Sequence, residues 1–210
     1  MEYKGEVYSV KKSCLKEKMA TYENVDPFDS IMNALLSNVK ELNLFFRAIH
    51  SNIVIKEGKH SSIRKIDFLP KYNQEEPEVV LKDDELEIYY VIKHKKRNDI
   101  NVPFMMLEFT TELIRLSVEE KEKEQKEYKI PIVIPIVIYT GVEKWEVPLE
   151  LRKLQVLKSI FPKDLMNQKY ILIDINDYYL KPMLGESKIL EAIFYDRLGK
   201  QDKLIKLMEE

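Results

Sequence analysis

Glu78-Val79-Val80-Leu81-Lys82-Asp83-Asp84-Glu85-Leu86-Glu87-Ile88-Tyr89-Tyr90-Val91-Ile92-Lys93-His94-Lys95 is the stretch whose reading decides the fold. Two runs rich in Val, Ile and Tyr flank Asp83-Asp84, whose short carboxylates bond readily to nearby backbone amides and so favour a turn. The pattern predicts a β-hairpin whose second strand runs from Leu86 to Ile92. Side chains alternate along a strand, so Leu86, Ile88, Tyr90 and Ile92 share one face, and Tyr89, Val91, Lys93 and Lys95 share the other. Both faces are largely apolar, which places this strand inside a sheet covered on both sides. The hairpin also carries a carboxylate, Glu78, at the start of its first strand and lysines at the end of its second, and the turn brings these ends together.

Upstream, Ile31, Leu35, Leu36, Leu42, Phe45, Phe46 and Ile49 recur at helical spacing from Asp29 onward. Asp26 or Asp29 suits the cap, Pro27 suits the first turn, and Ser37-Asn38 is a natural break because both side chains compete for backbone bonds. Ile53 to Ile55 and Ile63 to Leu69 read as short strands. Downstream, Pro103 opens a helix with an apolar stripe from Phe104 to Val118, and the charged run Glu119 to Glu127 reads as a solvated helix end followed by a loop. Ile130 to Tyr139 is β-branched almost throughout and reads as a strand buried on both faces, its prolines confining regular pairing mainly to Pro135 onward. A helix from Leu149 to Ile160, a strand from Tyr170 to Asp174, a helix from Ser187 to Arg197 and a charged tail complete the order. Hairpin, helix, strand, helix, strand predicts an α/β fold with a mixed central sheet flanked by helices. The domain is expected over residues 26–180, with 1–25 peripheral and 181–210 forming a C-terminal helix and tail.

The chain of 210 residues is 45% hydrophobic and 33% charged, enough for one well-buried core. Lysine and arginine number 34 against 36 acidic residues, a net charge of -2 that argues against wholesale wrapping by nucleic acid while leaving room for a local basic patch. The single cysteine, Cys14, cannot form an internal disulfide, and no Cys/His spacing suggests zinc. The longest apolar stretch, Ile130 to Tyr139, is about half of a membrane span. No signal-peptide pattern opens the chain. These features predict a soluble cytoplasmic protein that does not enter membranes, with a homo-oligomer left open.

Four segments carry a resemblance to a known family. They are Asp29-Ser30-Ile31-Met32-Asn33-Ala34-Leu35-Leu36-Ser37-Asn38, Pro77-Glu78-Val79-Val80-Leu81, Tyr90-Val91-Ile92-Lys93-His94-Lys95-Lys96, and Ile134-Pro135-Ile136-Val137-Ile138-Tyr139-Thr140-Gly141 with Trp145. Together they resemble the Rpn family of recombination-promoting nucleases and putative transposases (the YhgA-like transposase group), which belongs to the PD-(D/E)xK nuclease superfamily. The most specific piece is Pro135 to Trp145. The likeness spans roughly residues 26 to 180 and implies a restriction-endonuclease-like core, a DNA partner, a magnesium cofactor and phosphodiester hydrolysis. Family members often continue further, so the chain reads as a shortened copy.

The departures fall at the chemistry. The resemblance implies Glu78 as a metal ligand where the family has Asp, and Lys95 as the catalytic lysine of the wider superfamily where the family has Gln. The family's second acid is replaced by Lys93. An ammonium a few ångströms from a dication opposes it by several kcal/mol at intermediate dielectric, roughly 332/(εr) per pair, against about 4 kcal/mol for millimolar affinity. Impaired catalysis is the expectation. In some superfamily members the neighbouring helix supplies the second acid; here Glu108 or Glu112 is the candidate, with Glu108 assigned as the second metal ligand, and the competing reading makes both the polar side of an amphipathic helix.

Lys93, Lys95, Lys96 and Arg97 read either as a phosphate-contacting patch or as the solvated end of a strand. His94 reads as a general base or, more simply, as a surface residue; Asp29 as a family acid or a helix cap; Trp145 and Tyr139 as packing; Asp174 as a loop carboxylate. The first functional expectation is a magnesium-dependent DNA endonuclease with impaired catalysis. The alternatives are a non-catalytic nuclease-fold module that binds nucleic acid, and a protein-interaction module.

Overall fold

The computed structural model describes residues 26–49, 63–70, 75–123, 130–156 and 166–209. The expected peripheral segment 1–25 and the strand Ile53 to Ile55 lie outside them.

Asp26 caps the first helix, α1 (Pro27–Leu36), by accepting from the Phe28 amide, and Pro27 occupies the first turn where its missing N–H costs nothing. The break expected at Ser37-Asn38 is present: the Asn38 side chain accepts from Lys40 and Glu41 amides and starts α2 (Val39–Ala48). Asp29 is therefore not the cap but sits in the first turn of α1.

β1 (Ile63–Ile66), β2 (Val79–Asp83) and β3 (Ile88–Lys95) form an antiparallel meander. β3 begins at Ile88 rather than Leu86, because the turn is longer than two residues. Buried Asp83 accepts from the Glu85 and Leu86 amides, and Glu87 takes a positive φ of 54°. Asp84 faces outward and pairs with Arg64 and Lys82.

Helix α3 (Val102–Lys123) crosses to β4 (Ile132–Tyr139), which runs parallel to β3; the charged run continues the helix to Lys123. β5 (Ile171–Asp174) is parallel to β4, so the sheet of five strands is mixed, in the order β1-β2-β3-β4-β5. The β3–β4 ladder extends from Ile132, so the prolines do not delay pairing as expected. β5 pairs only from Ile136 on, so Pro135 precedes the segment with neighbours on both sides, where a missing N–H is tolerated. The helix expected from Leu149 is instead a short 3-10 turn, Leu151–Leu154, beside an isolated bridge between Glu150 and Lys169. Residues 157–165 lie outside the described set.

Helix α4 (Lys188–Arg197) follows Ser187, whose hydroxyl accepts from the Ile189 amide. The expected tail is a second helix, α5 (Gln201–Glu209). It turns a buried Leu204 into the same core as Ile189, Leu190 and Ile193, next to α1.

The two sides of the sheet match the alternation read from β3. Val79, Leu81, Tyr90, Ile92, Ile136 and Ile138 pack beneath α1, α2, α4 and α5, whereas Val80, Tyr89, Val91, Val137 and Tyr139 pack beneath α3. Helices on both faces leave the carboxyl ends of the parallel strands β3 and β4 open, where ligands gather in open α/β sheets. Leu204→Ala is expected to cost about 2–5 kcal/mol, the usual loss for emptying a buried leucine site, where a solvated tail would lose almost nothing. Chemical denaturation of both proteins checks it.

Candidate functional site

Glu78, Lys93, His94, Lys95, Lys96 and Arg97 all line one cleft of about 950 Å³ at the end of β3, together with Asp29 from α1, the Thr140-Gly141 turn after β4, and Asp196 and Arg197 from α4. The register of the hairpin explains the first contact. Val79 pairs with Ile92, and the Glu78 amide donates to the Ile92 carbonyl, so the next residues outward, Glu78 and Lys93, lie across from one another.

Both oxygens of the Glu78 carboxylate are engaged. Oε2 accepts from the His94 amide at 2.6 Å, and Oε1 accepts from Lys93 Nζ at 3.3 Å. Burial pushes the Glu78 carboxyl above the usual range, against the pull of Lys93 and the His94 N–H. Lys93 is only 10% exposed, and its ammonium also donates to the Glu76 carbonyl at 2.7 Å and lies 3.4 Å from Glu75. It is not the solvated end of a strand.

Lys95 lies on the same side of β3 but does not reach Glu78. It donates to Glu75 at 2.7 Å and to Asp99 at 2.8 Å, and although burial pulls its pKa down, these two acids outweigh burial and hold it above the usual value. Lys96 bridges α1 and α4, contacting Asp26 at 2.8 Å and Asp196 at 3.3 Å while its ammonium lies over the Phe28 ring. Arg97 is exposed on the cleft wall and forms no hydrogen bond or ion pair among the described residues. Six carboxylates and five cationic side chains line the cleft, so it is a mesh of ion pairs rather than a purely basic groove.

His94 is buried, not a surface residue. Its Nε2 meets Thr140 Oγ1 at 2.7 Å, its ring packs edge-on to Phe28, and Nδ1 lies 3.8 Å from Asp29, too far for a hydrogen bond. Burial, reinforced by Lys96 and Lys93, lowers its pKa to about 3. The ring is neutral at neutral pH and too weakly basic to serve as a general base there. Asp29 is half exposed, and burial raises its carboxyl above the usual range.

Glu108 and Glu112 are not brought to the cleft. Glu108 is half-buried on α3, and Glu112 pairs with Arg115 on the same helix. Among the described residues no group of three or more His, Cys, Asp or Glu side chains is arranged to hold a metal ion. With Glu78 engaged on both oxygens and an ammonium beside it, the donor set as it stands does not fit magnesium.

The remaining signature residues are architectural. Tyr139 is buried edge-on to Trp145, whose indole N–H donates to Tyr170 Oη, and that hydroxyl donates to the Pro148 carbonyl. Gly141 lies so close to Tyr139 Oη and the Lys96 carbonyl that an added Cβ would collide with both. Asn98 clamps the same region, donating to the Lys144 carbonyl and accepting from the Glu146 amide. Arg197 donates to the carbonyls of Thr140 and Gly141 and to Asn176, tying α4 to the turn after β4. Asp174 accepts from the Asn176 amide and caps the 3-10 turn that follows β5.

A tyrosine, glycine and tryptophan at this spacing, closing a cleft at the end of an acid-bearing hairpin, agree with a comparison against known families: the pattern for YhgA-like putative transposases covers residues 78–210. The chain belongs to that family. The match includes the hairpin, the Tyr139 to Trp145 signature and both C-terminal helices; α1, with Asp29, precedes it. No curated protein and no solved structure matches the chain. Membership points to a transposase or nuclease type of function and to interaction with DNA. Among the described residues no helix is long and apolar enough to cross a membrane.

The sequence reading missed Glu75, Asp99, Thr140, Asp196 and Arg197. Asp99 had a local signal, standing four residues after Lys95, whereas Asp196 and Arg197 reach the cleft only through the packing of α4.

Two outcomes are expected. The unfolded histidine takes up a proton near pH 6.5 and the folded one only near pH 3, so stability is lost as pH falls through this window, by about 1.4 kcal/mol per pH unit. Urea midpoints should fall more steeply between about pH 6.5 and pH 5 in the parent than in His94→Gln, while the raised carboxyls of Glu78 and Asp29 act in the opposite sense in both proteins. Gly141→Ala should destabilise by about 1–3 kcal/mol through overpacking, lowering the melting temperature by several degrees.

Proposed function

We propose that this chain is a DNA-binding module with a restriction-endonuclease-like core, in which the hydrolytic centre of the nuclease type has been disabled. The carrying observation is the double engagement of Glu78, by the His94 amide and by the Lys93 ammonium. Metal-dependent phosphodiester hydrolysis needs an acid free to ligate, and here the position of the second acid is taken by a cation that neutralises the first. Glu78 and Lys95, the pair implied for catalysis, do not meet directly: Glu78 pairs with Lys93, Lys95 pairs with Glu75 and Asp99, and Glu75 joins the two lysines.

The order of an α-helix, an acid-bearing hairpin, a crossover helix and a parallel strand supports the core assignment, and family membership supports the DNA partner. Within the cleft, Arg97 is the cation best placed for a backbone phosphate, with Lys96 next once a phosphate displaces Asp26 or Asp196. Lys93 and Lys95 are internal and set the shape of the cleft. A contact through so few cations gives a shallow salt dependence: the slope of log affinity against log salt should correspond to about two phosphates.

Fluorescence anisotropy with labelled single- and double-stranded DNA across a salt series tests this reading. The parent is expected to bind at low ionic strength, and Arg97→Glu to bind at least tenfold more weakly with a shallower salt slope. No binding at low salt would remove the DNA partner. Magnesium-dependent nicking that Glu78→Ala abolishes would show instead that the hydrolytic centre survives.

A further inference from the structure

We propose that the Lys93 ammonium stands in for a divalent cation, and that removing it uncovers a latent metal site formed by Glu75, Glu78 and the Glu76 carbonyl. Nζ is held by oxygen alone: the Glu76 carbonyl at 2.7 Å, Glu78 Oε1 at 3.3 Å and Glu75 Oε2 at 3.4 Å. Two carboxylates and a main-chain carbonyl are the hard donors that magnesium, manganese and calcium select, and a neutral or soft ligand set would not carry the same implication.

The cage is built by the fold. The β2–β3 register sets Glu78 across from Lys93, and the chain entering β2 brings in Glu75 and Glu76. Lys95 closes the outer side by sharing Glu75 Oε2. The ammonium is therefore a permanent, covalently attached counter-ion for a pair of acids. A protein built this way has its site charge satisfied without any free cation, and a dication approaching it meets Lys93 first. Removing the ammonium leaves the acids facing one another across the space it occupied, and Lys93→Glu adds a third carboxylate from β3.

This inference rests on the reading of a disabled hydrolytic centre and is independent of DNA binding, which the anisotropy series tests separately. The test is manganese titration of the full chain, following free Mn²⁺ by electron paramagnetic resonance, with thermal melts in parallel. The parent is expected to take up no Mn²⁺ saturably at millimolar concentration and to show no shift in melting temperature. Lys93→Ala and Lys93→Glu are expected to melt lower without metal, because a buried acid has lost its partner, and to recover several degrees on adding Mn²⁺. Adding Glu78→Gln to either variant should abolish the recovery.

Saturable Mn²⁺ uptake by the parent that Glu78→Gln removes would overturn the proposal, since the site would then already be a metal site. Folded variants that ignore Mn²⁺ would overturn it equally. If a variant does not fold without metal, refolding in Mn²⁺ against sodium chloride of equal ionic strength decides: recovery only in Mn²⁺ supports the latent site, and recovery in neither rejects it.

Discussion

The antiparallel ladder between β2 and β3 pairs Val79 with Ile92, and this register places Glu78 against Lys93. A shift of one residue would turn Glu78 to the opposite face and leave the lysine with no acid across the strand. The apolar alternation of β3 holds the register, because Tyr90 and Ile92 must enter one core while Tyr89 and Val91 enter the other. The chemistry of the cleft thus depends on a hydrophobic pattern several residues away. An ion pair this well buried costs desolvation on both sides, so its presence speaks for a defined arrangement rather than for stability gained.

A second constraint frames the cleft from the β4 side. Tyr139 against Trp145, with Tyr170 below, makes a rigid aromatic corner, and Gly141 allows the chain after β4 to press against the Lys96 carbonyl. Arg197, at the end of α4, reaches the same turn. The turn is thereby tied both to α3's side of the sheet, through the aromatic corner, and to the opposite helical layer. A family signature that contains no acid or base is explained by this role: it positions the cleft in which the acids and lysines meet.

The charge mesh has its own logic. Lys95 joins Glu75 to Asp99, and Asp99 in turn accepts from the Asn101 amide at the start of α3. Lys96 joins the cap of α1 to the end of α4. These lysines link elements distant in sequence at the point where β3 leaves the sheet, and they account for a cluster of cations in a chain of nearly balanced charge. His94, neutral and packed on Phe28, supplies a polar contact to Thr140 without adding a further charge.

Several features were legible in the sequence because they depend on neighbours along the chain. The hairpin, the two faces of β3, the break at Ser37-Asn38 and the helix beginning after Ser187 follow from alternation, capping and turn chemistry, and so does the approach of Glu78 to Lys93. What only the tertiary structure decided involves contacts between distant segments. The burial of Lys93 and His94, the separation of Lys95 from Glu78, the placement of Glu108 away from the cleft and the docking of α5 each depend on which surfaces meet. A lysine or histidine has the same local pattern whether solvated or enclosed; desolvation and the nearest opposite charge choose between the two, and both are set by packing.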